Sequence, residues 1–359
     1  MVKSAYIHIP FCRSICSYCD FCKVIYNKKW INSYLDALEN EIKKEYKGEI
    51  LNTIYIGGGT PSSLDIDELK KLFDILKILK INNNYEYTIE CNIEDITEEK
   101  LKLFKDNNIN RISIGVETFN DKYLKYLNRS YKSDIINSKI SLAKQYFDNI
   151  NIDLIYALQN QTKEELLDDI NKIKKLDINH ISCYSLIIED NTVLSINNTK
   201  PINEDLDYEM YKLIDDNLSD KYIHYEVSNY AKEGYESRAN LTYWHNEEYY
   251  GFGISAAGYI NNERYTNTKN LSKYINDNNI RDVEILTQED KIKYELILGF
   301  RLLKGINKEK FLNKFNKNIK DIKNITKLIN EGYLIEDDNN IYVNGNYIYV
   351  LNDILINFV

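Results

Sequence analysis

The sequence predicts an α/β fold in which six βα units come first and a small C-terminal α+β module comes last. Short apolar segments rich in β-branched residues alternate with longer stretches of helical period, which is typical of strands and helices around a parallel sheet. The strand candidates recur at intervals of roughly 25 to 45 residues. Six units are too few for a closed eight-stranded ring, so the residues leave two alternatives, an incomplete barrel or an open sheet.

Strand and helix candidates alternate regularly through residues 1–202, which we assign to one domain. The strand candidates are residues 5–9, 53–56, 85–91, 111–116, 150–156 and 180–187. The helix candidates between them include residues 30–46, 66–79, 122–127, 135–146 and 163–176.

The pattern changes after residue 202. Residues 203–285 start with a helix candidate at 206–218 and continue as a tyrosine-rich region with strand-like pieces and a turn at 251–253, so we expect an added β-containing layer. Residues 286–359 contain an amphipathic helix, two short helices rich in Lys and Asn, a hairpin-like stretch at 333–343 and 347–350, and a last helix. Helices followed by a hairpin predict a winged-helix-like module, and a structural cap is the plainer alternative.

Composition and charge exclude several classes of protein. A hydrophobic share of 43% and a charged share of 28% are typical of a soluble globular protein. The formal charge of -9 argues against a general nucleic-acid binder. Residues 1–10 do not read as a secretion signal, and no apolar run approaches the ~18 residues of a membrane span. We therefore expect a cytosolic protein with no transmembrane segment.

The cysteines are the strongest chemical signal. Six cysteines in a cytosolic chain are expected to stay reduced, so the four between Cys12 and Cys22 suggest a metal before a disulfide. Cys12, Cys16 and Cys19 are separated by three and two residues, on a loop after the first strand candidate. Three thiolates on one iron–sulfur cube leave one iron free for another ligand. The alternative on spacing alone is a structural zinc site completed by Cys22 or His8.

A glycine-rich turn follows the second strand candidate. Gly57, Gly58 and Gly59 precede Thr60 and Pro61, and residues without side chains let backbone groups approach a ligand closely. The alternative is a tight connecting turn. The segment lacks the lysine of a P-loop and the spacing of a dinucleotide motif, so phosphate binding is not favoured.

Charged residues stand at or just after the ends of other strand candidates. Glu90, Glu117 and Asp153 would meet at the carboxyl ends of parallel strands, where carboxylates can bind ribose hydroxyls or an amino group. Arg129 would pair with a carboxylate through two parallel hydrogen bonds. The alternatives are helix caps and surface charges for the carboxylates, and a surface ion pair for Arg129.

These segments resemble, in order, the motifs of radical S-adenosylmethionine (SAM) enzymes of the coproporphyrinogen dehydrogenase (HemN) group. Residues 6–12, Tyr-Ile-His-Ile-Pro-Phe-Cys, with the next two cysteines of the loop resemble the cluster loop. The later matches are residues 57–61, 90–92, 110–116, 119–120, 128–129, 151–156, 225–231 and 240–244. Because the likeness covers nearly the whole chain, it disfavours the zinc alternative.

The resemblance implies a partial (β/α)6 TIM-like barrel of the radical SAM type. It also implies that Cys12, Cys16 and Cys19 hold a [4Fe-4S] cluster whose fourth iron binds SAM, and that reductive cleavage of SAM would give methionine and a 5'-deoxyadenosyl radical. The residues that match SAM contacts beside the cluster are Tyr6, Gly58 and Glu90. The residues that match other SAM-holding positions of the dehydrogenase, including those for a second SAM, are Tyr18, Gly59, Thr60, Glu117, Arg129 and Asp153.

Within the group, the sequence favours the shorter HemW-like heme chaperones. The dehydrogenase has an extension before its cluster loop and a further cysteine two residues after the third, where this chain has Phe21. Cys22 is one position out of step, and we interpret it as a bystander. The HemW-like alternative implies heme, a client hemoprotein and an electron donor as partners. The competing reading is SAM-dependent oxidative decarboxylation of coproporphyrinogen III.

The chain departs from the HemW-like pattern at several positions. The motif His-Asn-x-x-Tyr-Trp, associated with heme, has Ala239 in place of histidine and keeps Asn240, Tyr243 and Trp244. A second family histidine is replaced by Ala257. His245 is a candidate substitute, although a surface or core-edge histidine is the plainer interpretation. Two further departures are Glu117 where the group has glutamine, and Ala157, Gln159 and Asn160 in a stretch that is usually Gly-Leu-Pro-Gly.

Overall fold

The computed structural model describes residues 1–277 and 279–359. Its strands are β1 (Ser4–Ile9), β2 (Phe11–Cys12), β3 (Val24–Ile25), β4 (Ile50–Gly58), β5 (Lys80–Asn92), β6 (Arg111–Glu117), β7 (Asn149–Tyr156), β8 (His180–Ser185), β9 (Ile223–Glu226), β10 (Asn229–Ala231), β11 (Tyr250–Phe252), β12 (Ala257–Ile260), β13 (Glu263–Thr266), β14 (Asp282–Ile285), β15 (Ile306–Asn307), β16 (Leu334–Glu336) and β17 (Asn340–Val343).

Its α-helices are α1 (Lys28–Glu45), α2 (Ile66–Leu76), α3 (Glu98–Asp106), α4 (Asp121–Tyr126), α5 (Ile136–Ala143), α6 (Lys163–Leu176), α7 (Val193–Ile196), α8 (Glu204–Leu218), α9 (Arg238–Trp244), α10 (Leu271–Ile275), α11 (Gln288–Gly299), α12 (Lys308–Phe315), α13 (Ile325–Asn330) and α14 (Leu351–Leu355). Within the described part of the chain, each helix is too short or too polar to span a bilayer.

The centre of the molecule is a nine-stranded sheet in the order β11-β1-β4-β5-β6-β7-β8-β10-β9. Strands β1, β4, β5, β6, β7 and β8 are parallel and correspond to the six strand candidates. Helices connect them, and β11 and β9 form the two edges. The predicted fold class, a partial (β/α)6 barrel, is therefore confirmed.

Local sequence signals explain where the barrel helices begin. Asp65 and Glu68 form a reciprocal capping box at the start of α2, and Thr162 and Glu165 do the same for α6. These caps satisfy backbone N–H groups that have no partner inside the helix. Helix α6 has the predicted bounds, whereas α2 and α5 end three residues before the predicted ends.

Alternation along the barrel strands decides which side chains reach the lumen. In β6, Ile112, Ile114 and Val116 are fully buried in the apolar core. The intervening Arg111 and Ser113 point to the opposite face of the sheet and line a cavity. The apolar residues thus pack against the helices, while the polar residues of the same strands form the inner wall of the barrel.

Residues 203–285 were expected to form an added layer, but three of their strands join the barrel sheet. Strands β10 and β9 extend the sheet antiparallel beside β8, and β11 pairs in parallel with β1. Only β12, β13 and β14 form a separate three-stranded antiparallel sheet. The predicted turn at 251–253 is wrong, since Gly251 and Phe252 belong to β11. Gly251 is needed because a Cβ there would lie 1.8 Å from the Ala257 carbonyl oxygen.

The C-terminal residues form their own small core. Strands β15, β17 and β16 make a three-stranded antiparallel sheet, and helices α11 to α14 pack around fully buried side chains such as Phe311 and Ile341. The predicted strand at 347–350 is wrong. Residues Gly345–Tyr347 form a 3-10 turn and the chain then enters α14, because β15 already occupies the edge of β17 through the pair Ile306 and Ile341.

Candidate functional site

A cavity of about 450 Å³ lies inside the barrel where the parallel strands end. The cluster loop and the glycine-rich turn form one side of it, and the polar faces of β5 to β8 form the other. The predicted site residues in its wall are Cys12, Cys16, Tyr18, Cys19, Gly58, Gly59, Thr60, Glu90, Glu117, Arg129, Asp153 and Asn240. The structure therefore brings most of the predicted site into one space.

All three cysteines of the cluster loop are free thiols. Burial raises the pKa of Cys12 to about 11 and raises that of Cys19 as well, so the bare protein keeps these thiols protonated. Cys12 Sγ lies 3.6 Å from Thr60 Oγ1. Among described residues, no three His, Cys, Asp or Glu side chains are grouped to hold a single metal ion. An iron–sulfur cube does not require ligands grouped around a single ion, because each thiolate binds a different iron.

Backbone pairing fixes the two ends of the cluster loop. Strands β2 and β3 run in parallel, with hydrogen bonds of 2.8 Å from Val24 N to Pro10 O and from Tyr26 N to Cys12 O. His8 Nε2 donates to the Cys22 carbonyl at 2.8 Å. The Cys22 thiol is absent from the cavity wall and lies 3.9 Å from the Lys269 carbonyl oxygen. The loop thus presents its first three cysteines, and not Cys22, to the cavity.

Protein atoms occupy the room that the three glycines leave open. A Cβ on Gly57 would lie 2.8 Å from the Glu90 carboxylate, and one on Gly59 would lie 2.5 Å from the Pro10 carbonyl. Gly58 has φ +115 and would place a Cβ 2.6 Å from the His8 ring. The glycines therefore let Glu90, His8 and the cluster loop pack closely against the turn. The sequence had predicted instead that they leave room for a ligand.

The three predicted carboxylates in the cavity wall each have polar partners. Glu90 accepts hydrogen bonds from Tyr55 OH at 2.8 Å and from Gly58 N at 3.0 Å. Asp153 accepts from Asn151 Nδ2 at 2.8 Å. Burial raises the pKa of Glu90 and of Glu117 to about 7, and it raises the pKa of Asp153. The cavity therefore contains acids that titrate near neutral pH.

Arg129 connects Glu117 with the cluster loop. Its Nη1 lies 3.2 Å from Cys16 Sγ and 3.7 Å from Glu117 Oε1, and its Nη2 donates to the Gly115 carbonyl at 3.0 Å. Tyr18 OH donates to Glu117 Oε1 at 2.9 Å. The side chains of Arg129 and Glu117 are 6% and 7% exposed, so the surface-ion-pair alternative for Arg129 is wrong.

The floor of the cavity contains residues that the sequence analysis did not select. Arg111 is 2% exposed, and its Nε has no hydrogen-bond partner among described residues. His180 lies 2.6 Å from Asn151 Oδ1 and 2.8 Å from Tyr225 OH, and burial lowers its pKa well below 6.5. The missed signal was polar residues at every second position of otherwise apolar strands, as in Arg111, Ser113 and Glu117.

Tyr6, Tyr243 and Trp244 are not part of the cavity wall. Tyr6 stacks on Tyr55, the residue whose hydroxyl donates to Glu90, at a centroid distance of 6.2 Å. Tyr243 and Trp244 end helix α9. Asn240 is the one residue of this motif that reaches the cavity.

Helix α9 lies across the amino ends of the barrel strands. The Glu86 carboxylate accepts from Arg238 N at 3.0 Å and from Ala239 N at 3.3 Å. At the start of β1, Ser4 Oγ lies 2.9 Å from Thr242 Oγ1. The cysteines follow the carboxyl end of β1, so the motif that resembles a heme-associated one is on the opposite side of the barrel from them.

The four histidines differ in what surrounds their rings. His8 and His180 are buried and hydrogen-bonded, and His224 Nδ1 lies 3.1 Å from Asp215. His245 follows α9, is exposed, and has no ring hydrogen bond to any residue that the structure describes. Ala239 is buried. His245 is thus the histidine most open to an external ligand.

Comparison with known proteins identifies the family. The Radical SAM superfamily model matches residues 6–173, and the HemN C-terminal domain model matches residues 286–346. The heme chaperone HemW of Lactococcus lactis is 40% identical over 354 residues, covering 95% of this chain and 93% of the relative. HemW of Bacillus subtilis is 39% identical over 335 residues, covering 89% and 88%.

A solved structure agrees in fold. Coproporphyrinogen III oxidase (HemN) from Escherichia coli superposes with a TM-score of 0.87 at 21% identity, covering 99% of this chain and 90% of that one. The two chains therefore share one architecture through both the barrel and the C-terminal module. The sequence identities show that the chain belongs to the HemW family of radical SAM proteins.

Proposed function

We propose that this protein is a radical SAM heme chaperone that holds a [4Fe-4S] cluster on Cys12, Cys16 and Cys19, binds SAM in the barrel cavity, and delivers heme to a client hemoprotein. One observation supports the cofactor site above all others. Three free thiols of one loop stand in the wall of the same cavity as the carboxylates expected to contact SAM. Similarity to heme chaperones over 95% of the chain supports the heme role.

The residues present suit these cofactors. Thiolates are the ligands of iron–sulfur cubes, and a loop supplying three of them leaves one iron for a further ligand. Glu90 and Asp153 offer acceptors for an ammonium group and for ribose hydroxyls, and Thr60 adds a hydroxyl near Cys12. When bound, the cluster and SAM supply one-electron reductive chemistry. The protein's part is to orient SAM and to limit access of water.

The heme role requires an axial ligand. Histidine, cysteine, methionine and tyrosine serve this purpose in proteins. Because Ala239 and Ala257 stand at family histidine positions, we propose His245, directly after Trp244, as the ligand. Asn240, Tyr243 and Trp244 would then contact the macrocycle from helix α9. This places heme at the amino end of the barrel, away from the proposed cluster.

Anaerobic purification tests the cluster. We expect about four irons and matching sulfide per chain, as a four-iron cube requires, with a brown colour that is lost in Cys12→Ala. Cys22→Ala is the matched control, because its thiol lies outside the cavity wall, and it should keep the iron. Tightly bound zinc in place of iron would overturn the assignment.

Heme titration tests the chaperone role. The wild type should shift the Soret band of added heme, and His245→Ala should weaken the shift. Ala239→His restores the family histidine and should strengthen binding. An unchanged Soret band in the wild type would argue against heme delivery. Transfer is then measured by mixing heme-loaded protein with an apo-hemoprotein.

The oxidase alternative needs its own assay. The reconstituted protein is incubated with SAM, a reductant and coproporphyrinogen III, and protoporphyrinogen is measured. We expect no turnover, and turnover would defeat the chaperone reading.

A further inference from the structure

One guanidinium is directed at a single sulfur of the cluster loop. Arg129 Nη1 lies 3.2 Å from Cys16 Sγ, within hydrogen-bond distance for a sulfur acceptor. The other two sulfurs lack such a donor. Cys12 Sγ faces the Thr60 hydroxyl, and Lys23 Nζ is bonded to the carbonyl oxygens of Cys19 and Phe21. Among described residues, Cys16 alone therefore receives a charged hydrogen bond at its sulfur.

A carboxylate opposes that charge at close range. Glu117 Oε1 lies 3.7 Å from Arg129 Nη1, and both side chains are more than nine-tenths buried. Removal from water strengthens the interaction of each charge with its surroundings. The sulfur of Cys16 therefore experiences the Arg129 charge only in part, because Glu117 offsets it.

The backbone is strained so that Glu117 can occupy this position. Glu117 has φ +63, a left-handed conformation that is unfavourable for a residue with a Cβ. The strain coincides with a register shift between Gly115 and Glu117 in the pairing of β6 with β7. Tyr18 OH fixes the carboxylate at 2.9 Å. Strained residues of this kind cluster at functional sites.

Hydrogen bonds and charges near cluster sulfurs set the reduction potential of an iron–sulfur cluster. Reduction adds a negative charge, so a donor or a cation at a ligating sulfur stabilises the reduced form and raises the potential. A nearby carboxylate has the opposite effect. The two members of this ion pair should therefore act on a cluster in opposite directions.

We propose that Arg129 and Glu117 tune the reduction potential of the cluster through Cys16, with Arg129 raising it and Glu117 lowering it. Arg129 is a positioning and tuning residue in this role. The inference rests on the proposed cluster, and it deepens that function by naming what adjusts the cluster's electron affinity.

The test is an anaerobic redox titration of the reconstituted full chain without SAM, followed by EPR of the reduced cluster at pH 8.5. Arg129→Gln should shift the midpoint potential downward and Glu117→Gln should shift it upward. Arg129→Lys keeps the charge and should give the smaller downward shift. Arg13→Gln is the matched control, because Arg13 belongs to the same loop but is exposed and stacks on Tyr26.

Opposite shifts in the two variants support the proposal, because loosening of the site would move both potentials the same way. Equal potentials in all forms, or shifts of one sign, overturn it. If Arg129→Gln fails to hold iron, the midpoint potential of Glu117→Gln tests the proposal by itself, because glutamine has the same shape as glutamate. An upward shift supports the proposal, and an unchanged or lower potential overturns it. A wild type without iron and sulfide would refute the proposed function instead, so the two failures are distinguishable.

Discussion

Tyr55 donates a hydrogen bond of 2.8 Å to the Glu90 carboxylate across the neighbouring strands β4 and β5. Gly58 N–H donates to the other carboxylate oxygen at 3.0 Å. Burial still raises the pKa of Glu90 to about 7, and the negative charge of Asp153 acts in the same direction. Glu90 thus changes charge near neutral pH in the ligand-free protein.

Glu90→Gln should alter the pH dependence of stability. The folded pKa lies above the unfolded value of about 4.3, so the folded state holds the proton more tightly. The contribution of Glu90 to the unfolding free energy is therefore greatest below that unfolded value and is lost as pH rises through about 7. The glutamine variant lacks this fall and should be more stable than the wild type at pH 8, by on the order of 1–3 kcal/mol.

Urea unfolding of the ligand-free protein at pH 6 and pH 8 measures this difference. Glu39→Gln, on the outer surface of α1, is the control and should stay within about 0.5 kcal/mol of the wild type. Parallel pH profiles of wild type and Glu90→Gln would show that Glu90 is not the titrating group.

Gly58→Ala should be far more destabilising than Gly234→Ala. Both residues have positive φ, +115 and +81, so both variants carry conformational strain of roughly 1 kcal/mol. Only Gly58 would also bring a Cβ within 2.6 Å of the His8 ring, whereas nothing lies within 4 Å at Gly234. The clash should add about 1–3 kcal/mol, measured by denaturant unfolding. Equal losses in the two variants would mean that His8 moves away freely.

Glu41→Ala should lower the unfolding free energy by about 3–5 kcal/mol. The buried Glu41 carboxylate accepts from Tyr274 OH at 2.6 Å, Asn267 Nδ2 at 2.7 Å and Gly253 N at 2.8 Å, so it ties α1 to the end of β11. Glu39→Ala is the control, because it breaks only a partly exposed i,i+4 pair with Lys43 worth about 0.3–0.5 kcal/mol. A loss below 1 kcal/mol in Glu41→Ala would contradict the structural role of this network.

Tyr225→Phe should destabilise the floor of the cavity by about 1–3 kcal/mol. Its hydroxyl lies 2.8 Å from His180 Nε2 and accepts from Ser237 N at 3.3 Å, and both groups would lose a partner inside the protein. Tyr208→Phe is the control, because Tyr208 is 39% exposed. Thermal unfolding measures both, and a neutral Tyr225→Phe would show that water replaces the hydroxyl.

The sequence predicted the barrel well because each strand and helix leaves a local pattern. Apolar alternation, helix caps and glycine positions are all properties of neighbouring residues, and β6 and α6 follow the predicted bounds closely. The two wrong assignments, a turn at 251–253 and a strand at 347–350, lie in segments that contain both tyrosines and glycines. There, pairing with a distant strand decided the outcome.

The candidate site also has some residues that the sequence predicted and others that it did not. The cysteine loop and the acids at strand ends were recognisable, since their spacing and positions are read along the chain. Arg111 and His180 were not selected, because a polar residue inside a strand candidate is meaningful only when the opposite face is known to be buried.

By itself, the sequence determined the order of the βα units, the loop with Cys12, Cys16 and Cys19, and the resemblance to radical SAM proteins. Only the tertiary structure decided that Arg129 contacts Cys16, that Glu117 lies 3.7 Å from its guanidinium, and that α9 lies at the far end of the barrel. The reason is physical. These contacts depend on strand register, and those of Arg129 with Cys16 and of α9 with Glu86 join residues more than a hundred positions apart, which no local pattern encodes.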